Sequence, residues 1–152
     1  KIPESQWWIV FIPLFISMIL IAIPIGKMVD KVGRKIPLLL STLAYVPAGF
    51  LFLYGDFVKV LLAMPLFGLA QLLAMSASSA LQTDFVPQDK RGKVIGFTNF
   101  VSYIFTGLGM LLGNYLYANV SPQLPFLTLF VLLIPQFLII LFLVSEPKKR
   151  EE

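Results

Sequence analysis

Residues 6–26 read QWWIVFIPLFISMILIAIPIG, and residues 27–35 read KMVDKVGRK. The first stretch contains no Asp, Glu, Lys or Arg, whereas the second contains five such residues. A hydrocarbon core about 30 Å thick is crossed by a helix of about 20 apolar residues. The two stretches therefore predict a transmembrane helix that ends in a charged connection at the membrane surface.

The same alternation repeats along the whole chain. Further charge-free runs occupy about residues 36–55, 60–83, 94–119 and 125–145. Of the 152 residues, 58% are hydrophobic and 13% are charged, against about 45–50% and about 25% in soluble domains. Transmembrane β-strands would need segments of about ten residues in which apolar and polar residues alternate, and this alternation is missing. We predict an all-α, polytopic membrane bundle of about five helices in a single domain, residues 1–152.

The distribution of basic residues predicts the orientation. Ten of the twelve Lys and Arg fall in residues 27–35, 84–93 and 146–152, which five spans place on one side. The positive-inside rule makes this side cytoplasmic, so we expect the N-terminus outside, the C-terminus in the cytoplasm and an integral protein of the plasma membrane. Because topology explains the basic residues, no nucleic-acid partner is expected. A start at Lys1, without an initiator Met, leads us to expect that the chain is part of a longer protein.

The connection at residues 27–35 is the first candidate site. Gly33 permits a tight or left-handed turn, and Asp30 has the charge to satisfy the free amides at the start of the next helix. An ordinary positive-inside loop is the alternative interpretation of the same residues.

This connection resembles the loop signature of the major facilitator superfamily. All five signature positions are matched, by Gly26, Asp30, Gly33, Arg34 and Lys35. A second segment is similar to the Asp, Pro and Arg-Gly pattern found two helices later in the same superfamily. It reads DFVPQDKRG and spans residues 84–92.

The resemblance implies transport of a small solute by alternating access, through either secondary active or facilitative transport. It also implies that the two loops form a conformational switch at the cytoplasmic ends of the helices. The implied switch residues are Gly26, Asp30, Gly33, Arg34, Lys35, Asp84, Arg91 and Gly92, with the glycines allowing close backbone approach. The alternative is that these charges only fix topology. The implied partners are a small-molecule substrate, the lipid bilayer and the missing remainder of the transporter, of which this chain would be helices eight to twelve rather than two to six.

Polar residues inside the spans are candidates for a substrate path. Asn99, Ser102, Tyr103 and Thr106 share one face of the fourth span, and Gln71 lies near the middle of the third. Such groups must face protein or a water-filled cavity. Helix packing is the alternative, and spacing of four residues between small side chains predicts close packing at three places: Gly92 with Gly96, Gly109 with Gly113, and Ala70 with Ala74 and Ser78.

Several activities are not expected from this composition. The chain has no Cys and no His, and no Asp, Glu, Lys or Arg lies in the five charge-free runs, so we expect no cofactor, no metal site and no enzymatic activity. Proton coupling, if present, would reside elsewhere in the protein, whereas Na⁺ coupling and facilitated diffusion remain open. The competing hypothesis is a non-transporting helical subunit, such as an assembly or receptor component.

Overall fold

The structure is a computed structural model that describes residues 7–146, and they form five long helices. Their bounds are α1 (Trp7–Val32), α2 (Lys35–Leu53), α3 (Phe57–Phe85), α4 (Arg91–Asn119) and α5 (Leu124–Leu143), with a short 3-10 turn, Gln88–Lys90, before α4. All five are long and apolar enough to cross a membrane. The predicted all-α membrane bundle is confirmed, and the helices continue through their internal prolines, which neighbouring helices make tolerable in lipid.

The connection predicted at residues 27–35 is much shorter than expected. Helix α1 continues past Lys27 and Lys31 to Val32, and α2 begins at Lys35, so the connection consists of Gly33 and Arg34. Gly33 has a φ of +105°, a conformation that side chains with a Cβ rarely adopt. The charged residues extend α1 because Lys is a good helix former and a cation near the C-terminus of a helix is favourable.

Helices α1 and α3 form the first packed interface. Ile25 and Val29 of α1 are buried against Leu73 and Ala77 of α3, and a second cluster near the opposite end joins Val10 to α3. Between them the helices come very close at Gly68, where an added Cβ would lie 2.8 Å from Ser17 Oγ and 3.3 Å from the Leu14 carbonyl oxygen.

Helix α2 lies between α3 and α5. Aromatic rings connect the three helices. The centroid of the Phe52 ring on α2 lies 5.1 Å from the centroid of the Phe67 ring on α3 and 5.5 Å from that of the Phe126 ring on α5. An added Cβ at Gly49 of α2 would lie 2.8 Å from the Phe130 ring. These contacts leave α5 beside α2, on the side away from α1.

Helix α4 is the least packed element. None of its residues is buried, and apart from the adjacent residues and the nearby backbone of α4 itself, no described atom lies within 4 Å of an added Cβ at Gly96, Gly109 or Gly113. Among residues 7–146, the close packing predicted for the glycine pairs of this helix is therefore absent. Close approach occurs instead at Gly68 and Gly49, and Ala70 of the predicted α3 set is fully buried.

Candidate functional site

Arg34 is the centre of a cluster of charges at one end of the bundle. This cluster, the charged end, is defined by Asp30, Arg34, Asp84 and Glu146. The turn at Gly33 carries Arg34 into the space between α1 and α3, where it is only 5% exposed. Its Nη1 donates to the Val29 carbonyl in the last turn of α1 at 2.9 Å, and this carbonyl also accepts from the Gly33 amide at 3.2 Å. The guanidinium therefore lies where three helices end or begin.

Two carboxylates face the Arg34 guanidinium, and they differ in distance and burial. Asp84, at the end of α3, accepts from Arg34 Nε at 2.9 Å, and its side chain is 2% exposed. Asp30, one turn earlier on α1, lies 3.7 Å from Arg34 Nη1, and its side chain is 75% exposed. A buried pair at hydrogen-bond distance depends on both partners, whereas an exposed pair contributes little to stability. Arg34 thus has one firmly held and one loosely held partner.

Glu146 was missed as a site residue by the sequence analysis. It follows α5, and its carboxylate accepts from the Arg34 amide at 3.0 and 3.1 Å and from the Lys35 amide at 2.7 Å. A carboxylate at a helix start satisfies free amides and is favoured by the helix dipole. The expectation that Asp30 does this is wrong, because Asp30 faces the guanidinium of Arg34. The sequence did contain one indication that the cap comes from elsewhere in the chain: the first turn of α2 has no acidic residue that could satisfy its free amides.

Lys35 completes a reciprocal contact between α2 and α5. Its Nζ donates to the Leu141 carbonyl at 2.7 Å, close to the C-terminus of α5. Helix α2 therefore supplies Lys35 to the end of α5, and the segment after α5 supplies Glu146 to the start of α2. Both charges have the sign that the helix dipole favours.

The remaining predicted switch residues have different surroundings. Arg91 donates from Nε to the Val86 carbonyl at 3.0 Å and from Nη2 to the Thr83 carbonyl at 2.8 Å, so it caps the end of α3 from the start of α4. Apart from the adjacent residues and the nearby backbone of the same helix, no described atom lies within 4 Å of an added Cβ at Gly26 or Gly92. Of the three predicted glycines, Gly33 is the one in close contact, with Glu146 2.6 Å from its added Cβ.

The predicted substrate-path residues fall into two groups. Gln71 Oε1 accepts from the Tyr45 hydroxyl at 3.0 Å, a bond between α3 and α2. Asn99, Ser102, Tyr103 and Thr106 are all exposed on α4, and Tyr103 is 74% exposed. Among the described residues these four side chains do not hydrogen-bond to Gln71. Within residues 7–146 no three His, Cys, Asp or Glu side chains cluster in a way that could hold a metal ion.

Comparison with known proteins assigns the family. The model of the Major Facilitator Superfamily matches residues 3–152. The chain belongs to the major facilitator superfamily. The resemblance drawn from the loop at residues 26–35 is thereby confirmed, together with an integral membrane location.

One curated relative in the superfamily is an uncharacterised MFS-type transporter of Methanocaldococcus jannaschii. It is 31% identical over 124 residues, which cover 80% of this chain and 31% of the relative's length. The chain therefore spans about a third of the length of this curated relative.

Proposed function

We propose that this chain is part of a transporter that moves a small solute across the plasma membrane by alternating access, either as a secondary active carrier or as a facilitator. The observation that carries the proposal is the buried Arg34 with its two unequal carboxylates. Superfamily membership supports transport in general, and the charged end supplies a local element that can exist in two arrangements.

The charged end acts in this proposal as a cytoplasmic latch. Arg34 keeps its buried bond to Asp84, which holds α1, α2 and α3 together as one unit. The long, exposed contact to Asp30 is the one that is exchanged when this bundle rocks against the rest of the transporter. Such an exchange needs little energy, because exposed ion pairs contribute only about 0–1 kcal/mol. The excess of Lys and Arg at this end supports its cytoplasmic position.

The open face of α4 is the proposed contact with the substrate and with the remainder of the transporter. Asn99, Ser102, Tyr103 and Thr106 are exposed there, and polar groups at this depth need water, substrate or protein as partners. Transporters of this type rock around a site near the middle of the membrane. We therefore assign these four residues and Gln71 to the lining of the substrate path.

The test is a flux measurement on the purified full-length protein in proteoliposomes, with a panel of solutes and imposed H⁺ or Na⁺ gradients. Wild type is compared with Asp30→Asn and Asp84→Asn. We expect the Asp30 variant to keep its thermal stability and to lose flux severalfold, since the exchanged contact is weakened while the buried bond between Arg34 and Asp84 remains. The Asp84 variant should lose about 3–5 kcal/mol of stability, because Arg34 then remains buried without its close partner.

Asp89→Asn is the matched control, because Asp89 is an exposed carboxylate beside α4 with the same side chain. It should leave both flux and stability unchanged. Equal flux in wild type and the Asp30 variant would mean that the charges of the connection between α1 and α2 only fix the membrane topology. Absence of flux across a broad panel would favour the non-transporting subunit.

A further inference from the structure

Two lysines of α1 line an open cleft near the charged end. Lys27 and Lys31 are one helical turn apart, and the other lining residues are Ile23, Pro24, Met28 and Val32. The cleft has a volume of about 420 Å³. Both lysines are exposed, so their ammonium groups are accessible from outside the helical bundle.

The cleft is electrostatically positive. Within residues 7–146, neither ammonium group forms an ion pair with a carboxylate. Asp30, the acidic residue nearest in sequence, lies within salt-bridge distance of Arg34 and is not part of the cleft lining. Two cations at this spacing, in a cleft whose lining contains no carboxylate, favour an anionic ligand such as a phosphate group.

The helix surface next to the cleft is strongly apolar. Ile19, Leu20 and Ile23 are 75%, 69% and 71% exposed. Ile19, Ile23, Lys27 and Lys31 follow one another at intervals of four residues, so they form a single stripe along α1. The stripe changes from apolar to cationic at Gly26, where the charge-free run of about 20 residues needed to cross the hydrocarbon core ends.

We propose that this stripe binds an anionic phospholipid of the leaflet at the charged end. The phosphate lies in the cleft between Lys27 and Lys31, and an acyl chain lies along Ile19, Leu20 and Ile23. Basic pockets beside transmembrane helices have the chemistry for such headgroups, and each Lys near an anionic membrane surface strengthens the attraction. The site depends on the membrane position of α1 and not on the proposed transport mechanism.

The first test uses native mass spectrometry of the purified full-length protein after reconstitution in vesicles of equal parts phosphatidylglycerol and phosphatidylcholine. Wild type is expected to retain phosphatidylglycerol preferentially. In a Lys27→Gln/Lys31→Gln variant this preference should fall roughly tenfold or more. A Lys90→Gln/Lys93→Gln variant removes the same charge from exposed lysines at the start of α4 and should keep the preference for phosphatidylglycerol.

Loss of the preference in the first variant alone would support the site. An equal loss in both variants would mean a general charge effect and would overturn the proposal, as would the absence of any preference in wild type.

A second measurement identifies what covers the apolar part of the stripe and does not depend on the lysine variants. A nitroxide attached to Ile23→Cys should collide frequently with dissolved oxygen, which concentrates in lipid. Infrequent collisions would mean that another helix of the protein covers this face, and the lipid site would then be rejected.

Discussion

At the scale of single residues, the charged end is stabilised by partners of Arg34 from α1, from α3 and from the segment that follows α5. Arg34 is buried because Val29 and Asp84 accept its hydrogen bonds, and no buried polar side-chain atom among the described residues lacks a partner. Buried charges persist only when they are paired in this way. The cluster therefore joins the helix ends, and the hydrogen bonds offset part of the cost of burying its charges.

Replacement of Glu146 by Ala should destabilise the bundle by about 1 kcal/mol, the usual effect of losing a helix cap. Two amides at the start of α2 would lose their acceptor. Thermal unfolding in detergent is the measurement, and Glu146→Gln is the control, since it keeps an acceptor but removes the charge and should show a smaller loss. Unchanged unfolding of the Ala variant would contradict the capping role.

Asp56 provides a prediction on pH. It precedes α3, and its carboxylate accepts from the Lys59 amide at 2.9 Å. This bond holds the pKa of the Asp56 carboxyl below its ordinary value. Its contribution to stability is therefore complete above the pKa of an unfolded Asp, about 3.9, and is lost as the pH falls through the lowered folded value.

The measurement is the difference in thermal stability between wild type and Asp56→Ala, taken from neutral pH down to about pH 3. The difference should shrink as the carboxyl is protonated. Asp56→Asn keeps a capping side chain without the titration, so its stability relative to Asp56→Ala should not change with pH. A constant difference between wild type and the Ala variant would refute the prediction.

The residues of the site were predictable only where their partners follow from helix order. The charge-free runs placed Arg34 and Asp84 on the same side of the membrane, and the family resemblance implied that both belong to the switch. Glu146 is separated from Arg34 by 112 residues, and the sequence does not specify that α5 packs beside α2. The contact therefore required the three-dimensional arrangement of the helices.

At the scale of elements, the number of helices could be predicted from the sequence, whereas the way they pack could not. Charge-free runs locate spans because lipid excludes charge, but the helical hydrogen bonds continue beyond the lipid boundary, as α1 does through Lys27 and Lys31. Spacing of small residues does not identify which face meets a neighbour. Gly68 and Gly49 form the close approaches because rings or backbone groups face them, and neither belongs to the predicted small-residue pairs.

Gly68→Ala should weaken the interface between α1 and α3. The new methyl group would lie 2.8 Å from Ser17 Oγ and 3.3 Å from a backbone carbonyl of the opposing helix, and such overpacking costs about 1–3 kcal/mol. Thermal unfolding measures the effect. Ser79→Ala on the exposed side of α3 is the control and should be neutral, and equal stability of both variants would argue against a tight crossing at Gly68.

At the scale of the whole molecule, the open face of α4 predicts that some of its residues are accessible to water in the full-length protein. In the full-length protein, Ser102→Cys should react with a water-soluble maleimide if it lines an aqueous path. Ile104→Cys, at nearly the same depth but on a different face of α4, should react much more slowly because it faces lipid or protein. Equal rates at the two positions would remove Ser102 from the substrate path.

The reciprocal contact between α2 and α5 also has a consequence for biosynthesis. The chain emerges from the ribosome in order, so Arg34 and Lys35 are made more than a hundred residues before Glu146. Throughout that interval the two amides at the start of α2 lack this acceptor, and Lys35 lacks the Leu141 carbonyl. Among the polar contacts of the described residues at the charged end, this pair is the last whose partners are translated. A nascent chain that stops before Glu146 would therefore enter the bilayer with that end incomplete.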